Sequence, residues 1–422
     1  MEAAQQRSPW WWVPTLYFGQ GIPYAVVMAL SVVMYKNTGV SNTDIALYTA
    51  WLYLPWVIKP LWSPVVELFR TKRFWIVSLQ LVIGAALALV ALTTHLPDFF
   101  RISLAVLWLM AFSSATHDIA ADGFYMLGLR RQQQAAFVGV RSACWRLAMI
   151  AAQGGLVYLA GQLTERSGDP RAAWSIVFFV LAAMFIALCV YHRWMLPIPA
   201  ADRAGPGAGG ALFREFFATF ISFFRKDGIV VTLGFLLLFR LGESQLVKLA
   251  VPFMLDPRAK GGLGLTTSQV GMVYGTVGVI AMTVGGLLGG VVIARFGLKR
   301  CLWPMAFAIH LPDLVFVYLS SALPDNIYLI AVALAFEQFG YGFGFASYLL
   351  YMMMVADGEH KTAHYAICTG FMALGMMLPQ MGSGWIQEAV GYRHFFIWVC
   401  LATIPAFAMT ALVKIDPAFG RE

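Results

Sequence analysis

The chain has 422 residues, of which 60% are hydrophobic and only 12% charged, against roughly 45–50% and about 25% in a soluble domain. With a mean hydropathy of +0.73 it has too little charge to cover a water-facing surface, which excludes a soluble enzyme, a disordered chain, a coiled coil and collagen. The net charge of +8 is read as basic loops of a membrane protein and not as a nucleic-acid surface. The apolar runs are continuous over ~20 residues and do not alternate over about 10 as barrel strands do, so the expected class is an all-α polytopic membrane protein.

Met1–Ser8 is short and polar without a cleavable-signal pattern, so the first apolar run is expected to stay in the mature chain. Twelve segments follow, over 10–35, 42–68, 74–94, 101–127, 135–161, 173–196, 229–254, 267–294, 301–321, 327–355, 364–389 and 395–413. Each can cross ~30 Å of hydrocarbon at about 1.5 Å per residue. Between the sixth and seventh lies the longest non-apolar stretch, Pro197–Gly228, with a Gly- and Ala-rich run at 201–210 and an amphipathic piece at 212–224. The expected organisation is a first bundle over 1–196, a cytoplasmic linker over 197–228 and a second bundle over 229–422. The termini and the even-to-odd loops hold 17 Lys/Arg and the opposite loops 7, which places both termini in the cytoplasm. The five cysteines all lie in apolar runs and are read as packing residues.

The two halves share a faint repeat. An offset of 227 maps Val65, Phe69, Lys72 and Arg73 onto Val292, Phe296, Lys299 and Arg300, and Gln153 and Gly155 onto Gln380 and Gly382. Parallel six-helix halves are the architecture of major facilitator transporters. The run Gly290 to Arg300, with Arg295, Gly297 and Lys299, resembles the Gly-x-x-x-Asp-Arg-x-Gly-Arg-Lys loop of that superfamily, with Ala294 where Asp is usual. In the first half Glu67 takes the acidic position, followed by Arg70, Lys72 and Arg73. Such loops pair an acid with bases and helix ends and can latch one conformation. Plain anchoring by positive charge is the competing reading.

Ionisable groups inside a bilayer are functional candidates. They are Lys59 on segment 2, His117, Asp118 and Asp122 on segment 4, and Arg141 and Arg146 on segment 5. The second half adds Arg240, Glu243 and Lys248 on segment 7, His310 and Asp313 on segment 9, and Glu337 on segment 10. So many must line a polar interior. Asp118 and Asp122 are four apart on one helix face. Two such carboxylates cannot both ionise cheaply in a low dielectric, which suits a proton-coupling site. Static pairing with Arg141 and Arg146 is the alternative. Glu337 has no cation in its own segment and is the leading protonation candidate. Arg240 and Glu243, three apart, can pair with each other. Trp62, Trp145, Tyr24, Tyr125, Tyr341 and Tyr348 are candidate lining aromatics, suited to sugar rings.

The residues resemble the peptide–acetyl-coenzyme A–drug transporter group of the major facilitator superfamily, and within it the AmpG-type muropeptide permeases. The resemblance rests on Gly19-Gln-Gly-Ile-Pro23, on Lys59-Pro-Leu-Trp62-Ser63-Pro64-Val-Val-Glu67 and on Ser114-Ala-Thr-His117-Asp118-Ile-Ala-Ala-Asp122. It extends to Trp145-Arg146-Leu-Ala-Met, Arg240-Leu-Gly-Glu243 and Glu337-Gln-Phe-Gly. The departures are His117 for Gln, Glu for Asp at 67 and 243, and a different segment 11 from His364 onward. The resemblance implies proton-driven import of cell-wall sugar-peptides across a bacterial inner membrane.

The expected function is therefore a proton-coupled symporter for an amino-sugar or muropeptide-like solute, working by alternating access. Proton-coupling residues are Glu337, Asp118 and Asp122. Substrate contacts are Arg146, Lys59, Arg240, Arg141, Trp145, Glu243, Tyr341 and Gln380. Gating residues are Glu67, Arg70, Arg73, Arg295, Lys299 and Arg300. The expected partners are a small anionic solute, protons and the lipid bilayer, and the expected unit is a monomer. No cofactor, metal or nucleic acid is expected. A carrier of the same fold for acetyl-coenzyme A, a siderophore or another oligosaccharide is the alternative. A membrane-embedded transferase is a distant one, since no nucleophile or metal constellation stands at either membrane face. The sequence has no Walker motif, so no ATP drive is expected.

Overall fold

The computed structural model describes residues 7–199, 202, 218–358, 361–417 and 419, apart from the side chains of Pro64, Glu67, Leu68, Arg131, Ala135 and Thr362. Among these residues the regular structure is helical. The expected gating acid Glu67 and most of the amphipathic piece at 212–224 thus lie outside the described residues.

Among the described residues ten helical spans are long and apolar enough to cross a membrane. One of them, Ala363–Leu412, is 50 residues long and turns at Gly391, whose φ of 77° ends one leg and starts the next. The pair Asn42–Trp51 and Leu54–Leu68 is broken at Leu52 and Tyr53, and each piece alone is too short to span. Sequence signals account for the helix starts. Ser41, Thr71, Asp169 and Asn326 each accept a backbone N–H of the helix they begin, satisfying donors that a helix N-terminus leaves unpaired. Thr266 and Gln269 form a capping box.

Each half packs through its own neighbouring helices. Lys72–Thr93 lies between Phe99–Gly128 and Pro170–Met195, and Ile327–Ala356 lies between Thr267–Phe296 and Leu298–His310. The outer faces carry exposed Leu89, Val180, Leu287 and Val332, the pattern of a lipid-facing surface. The 227-residue offset also has a backbone counterpart. It maps Arg70 onto Gly297, and both have positive φ, 63° and 80°. A non-glycine residue with positive φ is uncommon.

The halves meet most closely at the end away from the chain termini. Three stretches of π-helix lie at Val26–Leu30, Ala151–Leu156 and Gly271–Gly278. The last two press together: a Cβ on Gly271 would stand 2.6 Å from the Tyr158 nitrogen, and one on Gly275 would run into the Gln153 carbonyl. Glycine is what permits backbone to meet backbone here.

Candidate functional site

The closed end is sealed by one carboxylate. Asp256, 5% exposed, accepts hydrogen bonds from Lys36 at 2.7 Å, Tyr392 at 2.6 Å and Asn42 at 3.3 Å. Asn42 also donates to Gln387 at 2.7 Å. Outside this core Thr43 donates to Glu388 at 2.6 Å, and Ser268 to Glu165 at 2.8 Å. These contacts join residues more than a hundred positions apart, and the sequence reading named none of them as site residues. A charged pair at the ends of two apolar segments was the only available signal.

Nearer the middle, the first half holds two separate ion pairs. Asp118 accepts from the Trp56 indole at 3.0 Å and lies 4.0 Å from the Lys59 ammonium. Asp122 is bound to Arg141 at 2.8 Å and accepts from Tyr17 at 3.2 Å. Arg141 also lies over the Tyr17 ring, 4.5 Å from its centre. Asp118 and Asp122 therefore do not face each other alone; each has its own cation. Arg146 takes no part in either pair. It is half-buried, has no hydrogen-bond or ion-pair partner among the described residues, and reaches toward Gly286 of the other half, 3.9 Å from where a Cβ would stand. His117 turns into the bundle instead. It meets Gln80, which bonds His192, which bonds Thr15, at 3.3, 3.0 and 3.0 Å.

In the second half Arg240 grips Glu243 with two nitrogens, at 2.8 and 3.2 Å, the pairing expected of residues three apart. It also donates to the Tyr341 hydroxyl at 2.6 Å and stacks over Phe345. Glu243 is fully buried. Glu337 is 1% exposed and accepts from its chain neighbour Gln338 at 2.9 Å. No cation bonds it among the described residues. Lys248 donates to Thr49 of the first half at 2.8 Å.

Aromatic rings bridge the two sets. Tyr24 and Tyr53 share a hydroxyl–hydroxyl bond of 3.2 Å. Tyr24 also packs on Trp56 and Trp145, with ring centres 5.4 and 5.9 Å away, and lies in electrostatic range of both Asp118 and Arg240. Tyr53 and Trp56 were not singled out from the sequence. Of the other expected lining residues, Trp62 is half-buried. Tyr348 is fully buried against Phe239 in the second half, away from such a lining. Gln380 is 2% exposed, with a side-chain oxygen that has no partner among the described residues.

At the terminal end the start of the Lys72–Thr93 helix meets an acid of the linker. The backbone N–H groups of Lys72 and Arg73 donate to Asp202, at 2.7 and 3.1 Å, and the Arg73 guanidinium donates to the Arg193 carbonyl. Asp202 comes from the linker, so sequence distance hid it. Arg70, Arg295, Lys299 and Arg300 are exposed.

Two helical halves, closed together at one end around buried acids and cations, make this a membrane transporter with the major facilitator fold. Solved structures agree on that fold. A bacterial homolog of the human lysosomal transporter Spinster, inward-facing and unoccupied, superposes with a TM-score of 0.71 at 16% identity, covering 97% of both chains. A D-xylose–proton symporter does so with 0.68 at 11%, covering 95% of this chain and 96% of that one. The chain belongs to the BT1 family, whose model matches residues 20–334. It is also similar to the anhydromuropeptide permease of Escherichia coli K12, 23% identical over 406 residues that cover 94% of this chain and 78% of the permease. A putative transporter, AmpG 4, of Rickettsia conorii is 23% identical over 401 residues, 92% of each chain.

Proposed function

We propose that this protein is a proton-coupled symporter that imports a cell-wall-derived amino-sugar or muropeptide-like solute across the bacterial inner membrane. The observation that carries the reading is Glu337: a carboxyl shut inside the second half, bonded by Gln338 and by no cation. An unpaired carboxylate in such a place is expensive, so the group exchanges charge by taking up and releasing a proton. The similarity to an anhydromuropeptide permease supports the solute class. Arg146 supports it too, as a cation left free by its neighbours to meet an anionic group. The aromatic faces of Tyr24, Trp56 and Trp145 suit sugar rings.

We place both termini in the cytoplasm, which makes the sealed end periplasmic and its closure that of an inward-facing state. A first bundle over 1–196 and a second over 229–422 rock about the Tyr24–Arg240 region, joined by the 197–228 linker. A proton on Glu337, or on the Asp118 and Asp122 pairs, accompanies solute inward. Deprotonation on the cytoplasmic side releases both, and a single chain suffices for the cycle.

The test is uptake into proteoliposomes with an imposed pH gradient, offering muropeptide, chito-oligosaccharide and acetyl-coenzyme A in parallel. Gradient-driven accumulation of the muropeptide or the sugar is expected. Accumulation of acetyl-coenzyme A alone would overturn the solute class. Glu337→Gln is expected to abolish accumulation and keep solute counterflow; wild-type accumulation by that variant would remove Glu337 from coupling.

A further inference from the structure

Asp313 is 1% exposed, and neither of its oxygens has a hydrogen-bond partner among the described residues. It ends the short 3-10 turn Leu311–Asp313, which interrupts the helical run between Leu298–His310 and Leu314–Ala322. Helix register places it beside Glu337. A Cβ on Gly344 would meet Ile309 at 2.6 Å, and one on Gly340 would meet the Pro312 ring at 2.7 Å. The two helices run antiparallel, so Glu337, one turn before Gly340, lies about one turn from Asp313 along the shared face. Phe336 is 61% exposed while Glu337 is 1% exposed, which fixes the inward side of that helix.

The groups around this space come from every neighbouring element. Glu337 and Glu243 both act electrostatically on Asp313, and Asp313 acts on Cys400. Tyr274 feels Glu337 and Glu243. His310, with both ring nitrogens unpartnered among the described residues, feels Arg240. Of these three carboxyls only Glu243 holds a guanidinium, that of Arg240, through two bonds. Two negative charges would be left without compensation. An unpaired charge in such an interior costs more than taking up a proton at neutral pH. A purely structural acid would hold a partner; Asp313 holds none.

We propose that Asp313 is a second proton-storing carboxyl beside Glu337, and that both are neutral in the state seen here. On exposure to water each loses its proton as a free ion and becomes a carboxylate, so the second half moves two protons per cycle. This rests on the proton-coupled reading above and deepens it.

The experiment is infrared difference spectroscopy of the purified protein in lipid, without solute. The wild type is expected to show protonated-carboxyl C=O bands that vanish on alkalinisation. Asp313→Asn is expected to lose one band, and Glu337→Gln a different one. An Asp313→Asn spectrum that keeps every wild-type band overturns the proposal. So does an Asp313 band that persists at every pH at which the protein stays folded, since that acid would never release its proton. Should Asp313→Asn fail to fold, carboxyl-13C aspartate in an Asp118→Asn, Asp122→Asn background is expected to shift the aspartate band and leave that of Glu337 in place. No shifted band would overturn the proposal. Failure of the proton-coupled reading shows elsewhere, as wild-type uptake indifferent to the pH gradient.

Discussion

Asp256→Asn tests whether the sealed end is held by charge. In the closed state Lys36 and Asp256 touch at 2.7 Å with side chains only 13% and 7% exposed. The substitution keeps the size of the side chain and some hydrogen bonding, but leaves the Lys36 ammonium with no counter-charge. Removing one member of a buried pair costs about 3–5 kcal/mol, chiefly through the charge left behind. That cost falls on the closed state, because opening this end hydrates Lys36. Taking about 3 kcal/mol, the closed-to-open ratio falls roughly a hundredfold. The assay is a distance measurement between spin labels at Arg166→Cys and Lys260→Cys, both exposed and on opposite halves, in a background without the native cysteines. The wild type should give one short distance, and Asp256→Asn should add a longer one with substantial population. A distribution unchanged by the substitution, with the protein still folded, would show that apolar packing and the glycine contacts close this end without the ion pair.

The remaining predictions concern substrate and packing. Arg146→Ala removes a cation without other partners and should weaken binding of anionic solutes by about 10- to 150-fold, the loss of a charged hydrogen bond of about 1.5–3 kcal/mol. Titration calorimetry with charged and uncharged analogues checks this, and equal affinities for both variants would withdraw the role. Gly275→Ala forces a methyl group into the Gln153 carbonyl of the other half, whereas a Cβ on Gly290 meets nothing within 4 Å. Gly275→Ala should open the sealed end and slow transport severalfold, with Gly290→Ala near wild type; equal behaviour would mean that the two halves do not meet there.

The readable parts of this chain were those set by local physics. Covering a segment's backbone inside lipid requires a continuous apolar helix, and that requirement is written residue by residue. Caps such as Thr71 and Asp169 act within a turn of their own position. The presence of buried ions was legible for the same reason: Asp118, Glu337 and Arg240 stand out against an apolar run. The repeat showed in the sequence as an offset of 227 that joins Lys72 and Arg73 to Lys299 and Arg300.

Which charges meet was another matter, because pairing depends on how far each helix is rotated about its axis. Spacing put Asp118 and Asp122 on one face, yet the structure gives them separate partners, Lys59 with Trp56 and Arg141 with Tyr17. The acid serving the Lys72–Arg73 helix start is Asp202, 130 residues from Lys72. The seal unites Lys36 with Asp256, 220 residues apart. Sequence alone determined that this is a membrane chain in two related halves with ions it must hide. Only the tertiary structure decided which of those ions are satisfied and which, like Arg146, Glu337 and Asp313, are left without a counter-charge among the described residues, since that depends on side-chain reach across helices that are distant in the chain.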